Sequence, residues 1–87
     1  MTFEEYNAMA ARGEYIGAGS ERHIFMHSAA QRAIEITGRI NGGYHPPAEL
    51  RALFSELIGQ KVDEGFGLFP PFYTDYGRNI RVGKRVF

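Results

Sequence analysis

The sequence predicts a mostly α protein with short β segments: a cap of two to three helices, then an extended tail that begins a parallel β-helix. Three observations predict it. Helix-starting residues precede apolar runs of helical period within the first sixty positions. Glycines and paired prolines then end that pattern between Gly65 and Pro71. Beyond them, Ile80 and Val86 stand six residues apart, the beat of a β-helix coil. The boundaries follow: residues 1–60 as the helical cap, residues 61–87 as the start of the β-helix, left incomplete.

The first helix opens at Thr2-Phe3-Glu4-Glu5. This is a capping-box pattern, in which a hydroxyl and a carboxylate each satisfy a free backbone N–H. Phe3, Tyr6 and Ala10 share one stripe, and the helix ends near Gly13. Gly17-Ala18-Gly19 breaks the chain, and Ser20 is an N-cap for a second helix. Met26, Ala30, Ala33, Thr37 and Ile40 line one face of it, and Asn41-Gly42-Gly43 supplies residues tolerant of a left-handed stop. Pro46-Pro47 opens a third helix, with Pro47 in its first turn. Its apolar stripe, Leu50, Leu53, Phe54, Leu57 and Ile58, is the cleanest in the chain. In the tail, Phe66, Leu68, Phe69 and Phe72 alternate with glycine and proline, which no helix survives. Ile80 and Val82 then alternate as in a strand, and Gly83 turns the chain. One coil cannot bury its inner face without stacked neighbours, so a structure begins here that the chain does not complete.

Composition bounds the function classes. The chain has 87 residues, enough for one small domain with a modest core. It has no cysteine, so disulfides cannot support that core. A hydrophobic fraction of 44% marks a folding chain rather than a disordered one. Ten basic residues balance ten acidic ones, which gives no global field toward nucleic acid or membrane. Met1-Thr2-Phe3-Glu4-Glu5 is no signal peptide, and no apolar run spans a bilayer. We expect a cytoplasmic protein that binds no nucleic acid and no membrane. Arg78, Arg81, Lys84 and Arg85 make the last eleven residues basic. They are read as a solvated face, since a nucleic-acid tail is denser in charge.

The tail carries a resemblance. Pro70, Pro71 and Phe72, then Asp75-Tyr76-Gly77, then Asn79-Ile80 with Val82-Gly83, resemble the β-helix entry of the maltose/galactoside O-acetyltransferases. These are hexapeptide-repeat sugar acetyltransferases. Met9-Ala10-Ala11-Arg12-Gly13-Glu14-Tyr15 is similar to the family's opening motif, and Arg32, Ala33, Glu35 and Asn41 follow its helical cap. The resemblance covers nearly all of this chain and less than half of a family member. It implies a left-handed β-helix and transfer of acetyl from acetyl-CoA, a co-substrate, to a sugar hydroxyl. It also implies that the general base, a histidine, and the CoA groove lie on later coils. No residue here matches that histidine, so no catalytic and no cofactor-binding residue is assigned, and the chain is expected to be truncated and inactive alone.

Two substrate-binding positions carry over from the resemblance. Asp75 matches the polar residue before Tyr-Gly near the acceptor sugar, and Phe87 aligns with an aromatic at that site's edge. Two features depart from the pattern. Ile16-Gly17-Ala18-Gly19 replaces an acidic residue facing the sugar, and Ala30 stands where a helix arginine is usual, with Arg32 only nearby.

Other candidates read as structural. His23 and His27, at i and i+4, share a helix face suited to a metal, with His45 or Glu35 as a conceivable third ligand. The protease version needs a glutamate where Ile24 stands, so no metal site is assigned. Gly17-Ala18-Gly19 lacks the third glycine and preceding strand of a dinucleotide fingerprint. Ser20, Ser28 and Ser55 lack a His–acid pair to activate them. The Phe66–Phe72 aromatics read as a hydrophobic plug rather than a stacking platform. An exposed final strand, Ile80 to Val86, invites pairing. We expect a homo-oligomer, joined through that strand or the Leu50–Ile58 helix. A full-length acetyltransferase is the alternative partner. The alternative function is a non-catalytic binding or oligomerisation module.

Overall fold

The computed structural model describes residues 1–14 and 16–87 and contains three helices: α1 (Phe3–Ala11), α2 (Glu21–Asn41) and α3 (Pro47–Ile58). Tyr15, which closes the opening motif, lies outside the described residues. Each helix begins where its capping chemistry begins. The Thr2 hydroxyl accepts from the Glu5 N–H at 3.1 Å, and the Thr2 N–H donates to the Glu5 carboxylate at 2.7 Å. The Ser20 hydroxyl accepts from the His23 N–H at 3.2 Å. Pro47 is the first residue of α3, where its missing N–H costs nothing.

Helix ends differ in kind. Gly59 ends α3 at φ +72°, a left-handed conformation that suits glycine. The expected left-handed stop of α2 is not used. Gly42 is right-handed, at φ −81° and ψ 0°. It serves close approach instead, since a Cβ there would meet the Gly38 carbonyl oxygen at 2.8 Å.

The core joins α2, α3 and the tail. Ala33, Ile36 and Ile40 of α2 meet Leu50, Phe54, Leu57 and Ile58 of α3, and Val62 and Phe66 close the cluster. The α3 stripe falls as expected. On α2, Ala29 and Ile36 are buried, while Met26 and Ala30 are only partly covered. Phe54 stacks on Phe66 and meets the Phe72 ring edge-on, with centroids 4.8 and 5.2 Å apart. The aromatics Phe66 and Phe72 are therefore core filling, whereas Phe69 is exposed.

The expected β-helix is not seen. Among the described residues there is no strand and no sheet, so residues 61–87 form neither a left-handed β-helix nor a hexapeptide-repeat coil. A mostly α protein stands, without the short β. The physical reason is the missing ladder partner: a strand's N–H and C=O groups need a neighbouring strand. Side chains satisfy several of them instead. Asn41 accepts from the Phe72 N–H and donates to the Phe72 carbonyl. The Asp63 carboxylate accepts from the N–H groups of Gly65 and Arg85. The Ser55 hydroxyl accepts from the Val62 N–H. Besides two local turn bonds, Phe66 N–H to the Asp63 carbonyl and Ile80 N–H to the Gly77 carbonyl, a long-range backbone bond from the Gly67 N–H to the Val86 carbonyl at 2.9 Å ties the two ends of the tail together. Ile80 and Val82 still turn toward the core, as partly buried residues packed on its edge. The Pro70–Pro71 peptide is cis.

Candidate functional site

Between α1, α2 and the tail lies an open cleft of about 600 Å³. Tyr6 and Asn7 reach it from α1, Met26, His27 and Ala30 from α2, and Asp75, Tyr76 and Asn79 from the tail. The helical period places Tyr6 and Ala10 on one wall, and Met26 and Ala30, one turn apart, on the other.

The cleft is braced from below. The Tyr76 ring packs between Phe3 and Tyr6, at 6.0 and 5.4 Å between centroids. Its hydroxyl donates to the Asn7 side-chain oxygen. Burial pushes the Tyr76 hydroxyl above its usual value, so it remains a donor at neutral pH. The Asn7 amide donates to the Arg78 carbonyl at 3.1 Å. These contacts bind α1 to a segment some seventy residues later and hold the Asp75–Asn79 segment at the cleft. Arg78 lies with its guanidinium 4.0 Å from the Phe3 ring centroid, against Gly59, where a Cβ would come within 2.3 Å of it.

The two substrate positions expected from the resemblance are not brought together. Asp75 is exposed at the cleft. Phe87 lines a separate, smaller cavity with Leu50, Phe66 and Phe69, and its ring meets Phe69 edge-on at 4.8 Å. Ala30 does line the cleft, and Arg32 does not stand in for the missing arginine. Its guanidinium donates to the carbonyls of Leu57 and Glu56 at the end of α3. Burial, and then the nearby Arg78 charge, lower its affinity for its proton.

The histidines separate into two groups. The His23 and His27 Nε2 atoms are 3.0 Å apart. His45 is bound elsewhere, to Glu49 and the Arg39 carbonyl, each at 2.6 Å. Among the described residues no group of three or more His, Cys, Asp or Glu is placed to hold a metal ion. No helix among them is long and apolar enough to cross a membrane. Of the cleft residues, the sequence singled out Asp75 as substrate-binding and His27 only as part of a metal-spaced pair, and assigned Tyr6, Asn7 and Tyr76 no binding role. Their convergence is long-range, and only the Asp-Tyr-Gly wording hinted at it.

Among the described residues, fold and site together define a small three-helix protein with an open, mostly apolar cleft edged by two tyrosines and a few polar side chains. The chain matches no family model, no curated protein and no solved structure.

Proposed function

We propose that this chain is the acceptor-binding part of a sugar O-acetyltransferase-like protein, and that its cleft takes a saccharide. The observation that carries this is the placement of Asp75 beside Tyr6, Tyr76 and Asn79 in one cleft. Sugars offer apolar C–H faces to aromatic rings and hydroxyl groups to carboxylates and amides, and this cleft presents both kinds of partner. The wording Asp75-Tyr76-Gly77, which resembles the acetyltransferases, lies at its edge. No residue of this chain is assigned the base that would deprotonate a sugar hydroxyl, and acetyl-CoA is assigned no site here.

Affinity should be weak. A monosaccharide of about twelve heavy atoms, at about 0.3 kcal/mol per atom, binds with about 4 kcal/mol, a Kd on the order of 1 mM. The test is titration with maltose and with methyl β-D-galactoside, followed by NMR of the backbone amides. The reading expects saturable shifts around Tyr6, Asp75 and Asn79, and roughly tenfold weaker binding in Asp75→Ala. Absence of saturable shifts with both sugars would sink it.

A second reading is favoured by Phe69 and Phe87, which contact each other while each is 80% exposed. In it the chain is a non-catalytic module that associates with a second copy through the terminal segment. The Leu50–Ile58 stripe is not available for this, because it is buried in the chain's own core. Light scattering at high protein concentration tests it: a monodisperse monomer counts against self-association.

A further inference from the structure

His27 stands on the cleft, while its partner His23, one turn earlier on α2, lies outside the cleft and shares a separate shallow hollow with it. The Gly19 N–H donates to His23 Nδ1 at 3.1 Å. A neutral ring that accepts at Nδ1 carries its proton on Nε2. That Nε2 lies 3.0 Å from His27 Nε2, so His23 donates and His27 accepts. His27 must then carry its own proton on Nδ1. This nitrogen has no protein partner among the described residues, and His27 lines the cleft that holds Asp75 and Asn79. The start of the chain of bonds is itself fixed, since Ser20 donates to the Gly17 carbonyl at 2.6 Å and caps α2 through the His23 N–H. The same arrangement disfavours a metal on His23 Nε2, which would force a proton onto Nδ1, against the Gly19 N–H.

We infer that His27 is a ligand-contacting donor of the cleft, set in its Nδ1–H tautomer by a relay from the Gly19 N–H through His23. The inference rests on the saccharide reading of the cleft. A hydroxyl that donates to the Asp75 carboxylate and accepts from His27 Nδ1–H would be held from both sides, and a C–H group in its place would leave both unpaired.

The tautomers are read by long-range ¹H–¹⁵N spectra of the histidine-labelled protein at neutral pH. The expected pattern is Nε2–H for His23 and Nδ1–H for His27, and the opposite tautomer at either ring overturns the relay. Titration with maltose and methyl β-D-galactoside should move the His27 ring signals together with the Asp75 amide. His27→Ala should weaken binding about 3- to 10-fold. Asparagine places its amide N–H near the Nδ1 position, so His27→Asn should remain within about twofold of the wild type. Glutamine places its amide near Nε2, and His27→Gln should behave like the alanine variant. Binding that depends on Asp75 and ignores His27→Ala leaves the saccharide reading intact and overturns this one. Absence of binding by either sugar overturns both.

Discussion

Asn41 makes both hydrogen bonds of a peptide bridge with Phe72: its Nδ2 donates to the Phe72 carbonyl at 2.9 Å, and its Oδ1 accepts from the Phe72 N–H at 2.8 Å. A side-chain amide at the end of α2 thus does for the tail what a neighbouring strand would do. Asn41→Ala strands both Phe72 groups in a partly buried position, and should cost about 1–3 kcal/mol. Urea unfolding with an unchanged m-value checks it. A loss below the error of the fit would show that water replaces the bridge.

Gly59 and Arg78 form a second joint between helix and tail. Gly59→Ala faces two penalties, its left-handed φ and the guanidinium 2.3 Å from the new Cβ. The first costs about 1–2 kcal/mol. Arg78→Ala alone should cost about 0.5–1 kcal/mol through its lost contact with the Phe3 face. The double variant should be more stable than the sum of the singles, because removing Arg78 removes the clash. Simple additivity in thermal or urea unfolding would mean that Arg78 moves aside without cost.

His45 makes stability depend on pH. Both its ring nitrogens face acceptors, the Glu49 carboxylate and the Arg39 carbonyl, so the imidazolium is the form that satisfies both. The hydrogen bond to Glu49, and then that to the Arg39 carbonyl, raise its pKa above the usual value of 6.5. A raised folded value means that the contribution is fully present below about pH 6.5 and is lost as pH rises through the folded value. The urea midpoint of the wild type should therefore fall across this alkaline step, and that of His45→Gln should not. Equal slopes in the two proteins would contradict the assignment.

Glu5 should act with the opposite sign. The hydrogen bonds from Thr2, the backbone one first, lower its pKa from 4.5. Its contribution is present above that value and is lost as pH falls through the folded one. In Glu5→Gln, acid unfolding should begin from a lower plateau and change less between neutral pH and pH 3. An acid transition parallel to the wild type's would count against the capping box.

Two phenylalanines should behave in opposite ways. Phe54 is buried between Phe66 and Phe72, and Phe54→Ala should cost about 3–5 kcal/mol, enough to unfold a domain of this size. Phe87→Ala should change stability by no more than about 0.5 kcal/mol, since its ring is exposed, and should abolish self-association if Phe87 lies at a dimer interface. Circular dichroism melts and light scattering separate the two effects.

The helical half was legible because its determinants are local. Thr2 with Glu5, Ser20 and Pro47 each specify a helix start within three or four residues, and the stripe from Leu50 to Ile58 can bury itself in only one direction. The tail misled for a physical reason. Ile80, Val82, Gly83 and Val86 have the spacing of a β-helix coil, and spacing reports which side chains turn inward, not which groups take up the backbone hydrogen bonds. Ile80 and Val82 do turn inward, while the partners for the tail's backbone are Asn41, Ser55 and Asp63, and nothing in the local pattern marks these as such.

As a binding residue of the candidate site, only Asp75 was legible. His27 stood out in the sequence only as half of a metal-spaced pair and Tyr76 only as part of the Asp-Tyr-Gly wording, and Tyr6, His27 and Tyr76 come from segments some twenty to seventy residues apart, so nothing local marked them as sharing a cleft. The sequence by itself determined where three helices begin, which face of α3 is buried and that no helix could continue past Gly65, because capping, period and proline geometry act over a few residues. The tertiary structure alone decided that the tail folds back without a sheet, that Arg32 serves the end of α3, and that Asp75, Tyr6 and His27 line one cleft. Those placements depend on how the helices and the tail pack in three dimensions.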